Sequence, residues 1–337
     1  MRFAVVGAGA IGAFAGAMLA RSGEDVTLIA RGVHLRAMQE RGVRVRGSLG
    51  EFEAWPAATD DPASVGAVDV VLLTLKAHSL TEMAQRLQPM LGPETCIVSA
   101  QNGIPWWYFY RHGGEWEGTQ LETVDPGGVI NRHLDPARVV GCVVYPSTII
   151  IEPGVIEHIE GTRFAIGEPD GSKSERCRRI ADAFIKAGLR CPIRTDIRRE
   201  MWVKLMGNVA FNPISALTRA TLVEIAQCPE TRALAAGIMT EAEAVARKLG
   251  IDIGVSVEQR IEGAEKVGHH KTSMLQDVEA GRPLELEAIV GAVVELGGKM
   301  GLSLPCAKAV YACVKLLARS AEIAISNKLQ PESAGRQ

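Results

Sequence analysis

Apolar residues along the chain follow two different spacings. Before about residue 197, short continuous apolar runs alternate with stretches of helical periodicity. "RFAVVGAG" opens as a strand run, "GAFAGAMLARSG" follows as a helix closed by glycine, and "DVTLIA" is a second strand. "VDVVLLTLK" (68–76) and "TCIVSAQNG" (95–103) are apolar runs closed by polar residues, the pattern of strands covered on both faces. "ARVVGCVVYPSTII", "VIEHIEG" and "RFAIG" supply later strands. This alternation predicts a doubly wound, mostly parallel sheet. From 197 onward, "IRREMWVKLMGNVAFNPISAL", "CPETRALAAGIMTEAEAVARKLG", "SVEQRIEGAEKV", "LEAIVGAVVELGGKMG" and "CAKAVYACVKLLARSAEIAI" all carry a helical period, with no comparable β run among them. The expectation is an α/β domain over residues 1–196 and an all-α domain over 197–337, ending in a polar, frayed "NKLQPESAGRQ".

Residues 105–137 fit neither spacing. The segment holds three of the five tryptophans and several Gly and Pro residues. A connection of that length is expected to be a lid or binding surface, or else a packed flap or subunit contact.

Composition narrows the class. Hydrophobic content of 47% and charged content of 23% suit a soluble globular protein, and a net charge of −2 argues against a nucleic-acid partner. Seven cysteines, an odd number with no C-x-x-C pair, read as reduced thiols of a cytoplasmic protein. The N-terminus imitates a signal peptide, but glycines at 7, 9, 12 and 16 suit a strand, a turn and a helix instead. No run reaches the ~18 apolar residues of a membrane span. His78, His269 and His270 are isolated in polar stretches and are read as solvated, so no metal site is assigned.

The first turn carries chemistry. Gly7, Ala8, Gly9, Ala10, Ile11 and Gly12 spell G-x-G-x-x-G after a strand run and ahead of a helix, the context that a dinucleotide site requires. Gly7 allows the tight turn, Gly9 lets a pyrophosphate approach the backbone, and Gly12 allows close helix–strand packing. At the end of the next strand an NAD site expects a carboxylate for the ribose hydroxyl; this chain has Arg31, which suits a 2′-phosphate and favours NADP(H). Lys76 and Asn102 close the next two long strand runs, where ligands of such sheets lie.

The second half has its own anomaly. In "MWVKLMGNVAFNP" (201–213) ten of thirteen residues are apolar, Gly or Pro, and Lys204, Asn208 and Asn212 recur at every fourth position. On a helix they form one polar stripe, either facing water or lining a site. An ammonium positioned beside a ketone can stabilise and protonate the oxygen on which hydride addition builds charge, and amides four and eight residues on can hold a polyfunctional substrate.

"GAGAIG", Arg31, "TLK", "QNG", "R-x-E-x-W-x-K-L-x-x-N-x-x-x-N-P" and "SMLQD", in this order over roughly residues 1–315, resemble the ketopantoate reductase family. The resemblance implies a Rossmann domain followed by a helical one, and NADPH-dependent reduction of ketopantoate to pantoate in pantothenate and coenzyme A biosynthesis. It implies Lys204 as general acid, Asn208 and Asn212 on the substrate's hydroxyl and oxo groups, and Ser273 on its carboxylate. Glu285 would contact the active-site polar groups and, beside Asn102, the nicotinamide end of the cofactor. The substrate would be a small 2-oxo acid, and the protein a monomer or homodimer.

Three departures bear on the substrate. Leu222 stands where relatives often carry a substrate-touching Asn, "GCVVYPSTII" replaces a Thr-rich run, and the Trp-rich segment is longer than usual. A paralogue reducing another 2-oxo acid, a non-enzymatic NADP(H)-binding sensor, and a dehydrogenase of the 6-phosphogluconate or hydroxyacid type remain as alternatives.

Overall fold

Eleven strands build the first part of the chain: β1 (Arg2–Val6), β2 (Asp25–Ile29), β3 (Val43–Gly47), β4 (Phe52–Ala54), β5 (Ala57–Thr59), β6 (Val68–Leu73), β7 (Leu91–Ser99), β8 (Val139–Val144), β9 (Ser147–Glu152), β10 (Val155–Glu160) and β11 (Phe164–Gly167). The helices among them are α1 (Ala10–Arg21), α2 (Gly32–Arg41), the short α3 (Leu80–Met83) and α4 (Val129–His133), and α5 (Glu175–Lys186). The structure, a computed structural model, describes residues 1–329, with side-chain exposure described through residue 320. The polar tail beyond 329 lies outside the described residues.

Seven strands form the main sheet in the order β11-β8-β7-β6-β1-β2-β5. It is parallel from β8 to β5, with β11 antiparallel at its edge. The runs that read as apolar throughout are its centre: β6 is buried at five of six positions and β8 at all six. This is the doubly wound α/β arrangement that the alternation predicted.

A second sheet, β4-β3-β10-β9, lies outside that prediction. It explains why α1 is apolar around its circumference: α1 packs on β2 and β1 of the main sheet and on β3, β4, β9 and β10 of the small one, so both sides of it are covered. Phe14 of α1 stacks on His158 of β10 with ring centroids 4.8 Å apart. In the same core, Phe184 of α5 meets Phe3 and Phe164 edge-on. The run "GCVVYPSTII" is not one strand; it breaks at Tyr145-Pro146, and β8 and β9 go to different sheets. Proline cannot donate to a central ladder, which makes this the natural break.

The aromatic start of the Trp-rich segment is packed, while residues 111–120 are largely exposed. Trp106, Trp107, Tyr108 and Phe109 are all buried, and Trp107 fills the space beside Gly141 of β8, where a Cβ would come within 2.6 Å of the ring. Arg198 fastens the backbone, donating to the carbonyls of Tyr108 (2.8 Å), Tyr110 (2.7 Å) and Pro169.

The rest is helical: α6 (Ile197–Thr218), α7 (Leu222–Gln227), α8 (Pro229–Lys248), α9 (Val257–Val267), α10 (Ser273–Glu279), α11 (Ala292–Lys299) and α12 (Pro305–Leu329), with one π-helical turn at Glu287–Gly291. Contacts divide the chain into two compact units, Met1–Met201 and Trp202–Gln337, the boundary falling inside α6. Among the described residues no helix is long and apolar enough to cross a membrane. All seven cysteines are free thiols; Cys96, Cys142, Cys177 and Cys191 are buried.

Candidate active site

In the first unit the glycines of the first turn divide by role. Gly7 has φ +96°, and a Cβ on it would sit 2.5 Å from the Leu75 backbone nitrogen. On Gly12 a Cβ would lie 2.4 Å from both the Gly7 carbonyl oxygen and the Thr74 hydroxyl. The fold itself requires both. Gly9 is different: it is exposed, and a Cβ there would meet nothing nearer than the Gly7 oxygen at 4.0 Å. Its backbone therefore borders open space that a ligand can approach. The turn is pinned from behind by the N–H groups of Gly7 and Ala8, both donating to the Ile29 carbonyl at 3.2 and 3.0 Å. Ala10 and Ile11 follow as the first, half-buried residues of α1. That helix begins at Gly9 with no side-chain cap and no acidic residue in its first turn, the arrangement in which a helix N-terminus accepts an anion.

Arg31 follows β2 as the exposed N-cap of α2, whose first turn also lacks a carboxylate. One turn on, His34 is held by the Gly154 N–H, which donates to its Nδ1 at 3.0 Å, and burial pushes its pKa below the usual histidine value. Lys76 and Asn102 are half-buried in the loops after β6 and β7. Gln101 ties those loops together, its Nε2 donating to the Leu75 carbonyl at 3.2 Å. Asn102 lines a shallow recess with Ala77, Leu80, Trp106 and Val124, so the Trp-rich segment supplies part of the wall. The fold thus gathers the expected cofactor residues of this unit at the carboxyl ends of β1, β2, β6 and β7.

In the second unit the stripe is helical. Lys204 and Asn208 are half-buried on α6, and Asn212 is only 4% exposed. Its side-chain Nδ2 is buried with no hydrogen-bond partner. An amide left this way costs about 1–3 kcal/mol, so the stripe is not simply a solvated face. Ser273 is the exposed first residue of α10, behind Thr272, whose hydroxyl caps the helix by accepting from Leu275 N–H at 3.2 Å. The Asp of "SMLQD", Asp277, is buried and pairs with Arg282 at 3.0 Å, a structural role. Glu285 is half-buried, and its carbonyl accepts from Ile289 N–H at 3.3 Å at the entry to the π-helical turn. Such turns are frequent at functional sites. Leu222 is half-buried at the start of α7, its N–H donating to the His270 carbonyl.

One residue here escapes sequence reasoning. Arg260 of α9 lies over Gly207 of α6, close enough that a Cβ at 207 would come within 2.7 Å of its Nη2. The available signal was the glycine itself: within a helix it costs about 1 kcal/mol relative to alanine, and it marks a close approach without naming what approaches.

Comparison with known proteins bears on the family and the fold. The family profile described as ketopantoate reductase PanE/ApbA matches residues 3–113, and its C-terminal counterpart matches residues 196–318. A 2-dehydropantoate 2-reductase of Mesorhizobium japonicum is 49% identical, covering 94% of this chain and 98% of its own. A solved chain from Ralstonia solanacearum MolK2 superposes with a TM-score of 0.90 at 39% identity, over 95% of this chain and 98% of its own. A D-mandelate dehydrogenase solved with NADH and anilino(oxo)acetate shares the fold at a TM-score of 0.82 and 22% identity, covering 96% of this chain and all of its own. Turn, stripe and both halves of the chain lead to the same assignment: this protein is an oxidoreductase that belongs to the ketopantoate reductase family.

Proposed function

We propose that the protein reduces ketopantoate to pantoate with NADPH. The observation that carries this reading is the buried Nδ2 of Asn212, without a hydrogen-bond partner in the protein and on the same helical stripe as Lys204, a polar rail that a polar ligand would complete. The open flank of Gly9 and the uncapped start of α1 fit a pyrophosphate, and Arg31, with no carboxylate in the first turn of α2, fits a 2′-phosphate. The backbone of residues 7–12 would hold the pyrophosphate, with Lys76 and Asn102 lining the cofactor crevice, and Glu285 would serve the nicotinamide end. The bound cofactor supplies a hydride.

The remaining work falls to this chain's side chains. Lys204 holds a proton for the oxo oxygen and stabilises the charge that develops there. Asn208 and Asn212 orient the oxo and hydroxyl groups, fixing the carbonyl carbon for attack. Ser273 donates to the substrate carboxylate. A second reading, a paralogue acting on another 2-oxo acid, is favoured by one feature: Leu222 offers an apolar, half-buried side chain where a substrate-touching amide is common in relatives.

The test is NADPH oxidation by the purified protein with ketopantoate and a panel of other 2-oxo acids. A kcat/KM for ketopantoate above every competitor supports the first reading. Turnover with a different 2-oxo acid alone replaces it with the second. NADPH binding without turnover of any panel member removes both.

A further inference from the structure

Arg260 reaches α6 from α9. Spacing separates it from the acidic side of its own helix: Glu258, Glu262 and Glu265 recur at intervals of four and three, and Glu258 and Glu265 pair with Arg232 of α8. Arg260, two positions after Glu258, projects about 200° around the axis and so to the opposite side. There its guanidinium lies against Gly207, with Cζ 3.7 Å from where a Cβ would be. Gly207 is three residues after Lys204, which makes the two neighbours on the α6 surface. A half-buried guanidinium therefore lies against α6 within one turn of the proposed general acid, admitted by the one residue of that helix without a side chain.

The chemistry of a 2-oxo acid gives that cation a purpose. The carboxylate is one bond from the oxo carbon, so a group adjoining Lys204 is placed to meet the carboxylate when Lys204 meets the oxo oxygen. Ser273 can donate one neutral hydrogen bond but supplies no countercharge. Arginine supplies both, in a planar fork that matches the carboxylate. We propose that Arg260 is a substrate-binding residue that anchors the carboxylate of the 2-oxo acid beside Lys204. Gly207 is kept small to let it in. The role rests on the reductase reading above and extends it, making the site selective for acids over their neutral analogues.

The experiment compares Arg260→Ala, Arg260→Lys and Gly207→Ala with the unaltered chain, using ketopantoate and its primary amide. The unaltered chain is assayed first; if it turns over no 2-oxo acid while still binding NADPH, the reductase reading fails and the anchor falls with it. With activity present, R260A is expected to raise KM for ketopantoate roughly 30-fold or more, with kcat within a few-fold and NADPH affinity unchanged. R260K restores part of the loss, and KM for the amide stays the same in both proteins. G207A keeps the helix, displaces the guanidinium and repeats the KM rise. Equal loss for acid and amide overturns the anchor. So does an unchanged KM, or a loss confined to kcat with a displaced pH profile, which would make Arg260 a modulator of Lys204.

Discussion

The Thr74 hydroxyl donates to the Gly7 carbonyl at 2.9 Å, so the loop after β6 closes the back of the first turn. The same two oxygens would each lie 2.4 Å from a Cβ on Gly12, whereas Gly9 faces space. Two alanine substitutions three residues apart should therefore fail differently. Gly12→Ala meets a backbone carbonyl that cannot yield and is expected to cost about 1–3 kcal/mol in urea unfolding. Gly9→Ala should unfold within about 1 kcal/mol of the unaltered chain, losing only some preference at the helix N-cap. Its NADPH affinity, read by fluorescence titration, should still fall at least about tenfold, because the methyl group occupies the pyrophosphate's approach.

The contrast shows what was legible in the sequence. Gly7, Gly9 and Gly12 announce a turn because the motif constrains the backbone locally, and the stripe of Lys204, Asn208 and Asn212 is visible because helical periodicity is local too. The small sheet was not legible: β3 pairs with β10, more than a hundred residues away, and nothing in "VRVRG" names that partner. Nor was the state of the Trp-rich segment. Its burial depends on Arg198, which lies outside the segment, and on the absence of a side chain at Gly141. Arg260 is hidden for the same reason, since only packing brings α9 onto Gly207.

Lys204→Ala should separate chemistry from binding. Loss of a positioned acid is expected to lower kcat by about 10²–10⁴ while the dissociation constant for NADPH changes little. Stopped-flow hydride transfer with saturating ketopantoate checks this. Undiminished turnover would remove Lys204 as the acid.

Arg31→Ala tests the cofactor assignment. A lost charge-assisted contact to a 2′-phosphate should weaken NADPH binding by roughly ten- to a hundredfold and leave NADH binding nearly unchanged. Equilibrium titration with both nucleotides decides it, because equal weakening would place Arg31 on something the two cofactors share.

Arg198→Ala should act on stability. The guanidinium is the donor for carbonyls of Tyr108, Tyr110 and Pro169, and its burial lowers its own pKa, the sign of a cation held away from water. Removing it leaves those acceptors unmatched under the Trp-rich segment. The expected loss is about 2–4 kcal/mol in urea unfolding. A loss below about 0.5 kcal/mol would mean the aromatic residues hold the segment without it.

His34 gives the fold a dependence on mild acid. Its Nδ1 accepts the Gly154 N–H, which requires that nitrogen to be unprotonated, and burial disfavours the imidazolium, lowering the folded pKa below 6.5. As pH falls below 6.5 the unfolded chain takes up a proton that the folded chain still refuses, so the unfolded state gains and stability declines. The contribution is complete above pH 6.5 and is lost progressively until the folded value is reached. His34→Gln keeps an acceptor for Gly154 but does not titrate. Urea unfolding from about pH 7 to about pH 5 should show a steeper decline for the unaltered chain than for H34Q. Parallel slopes would mean that His34 is as easily protonated in the folded protein as in the unfolded one, and that the bond from Gly154 yields without cost.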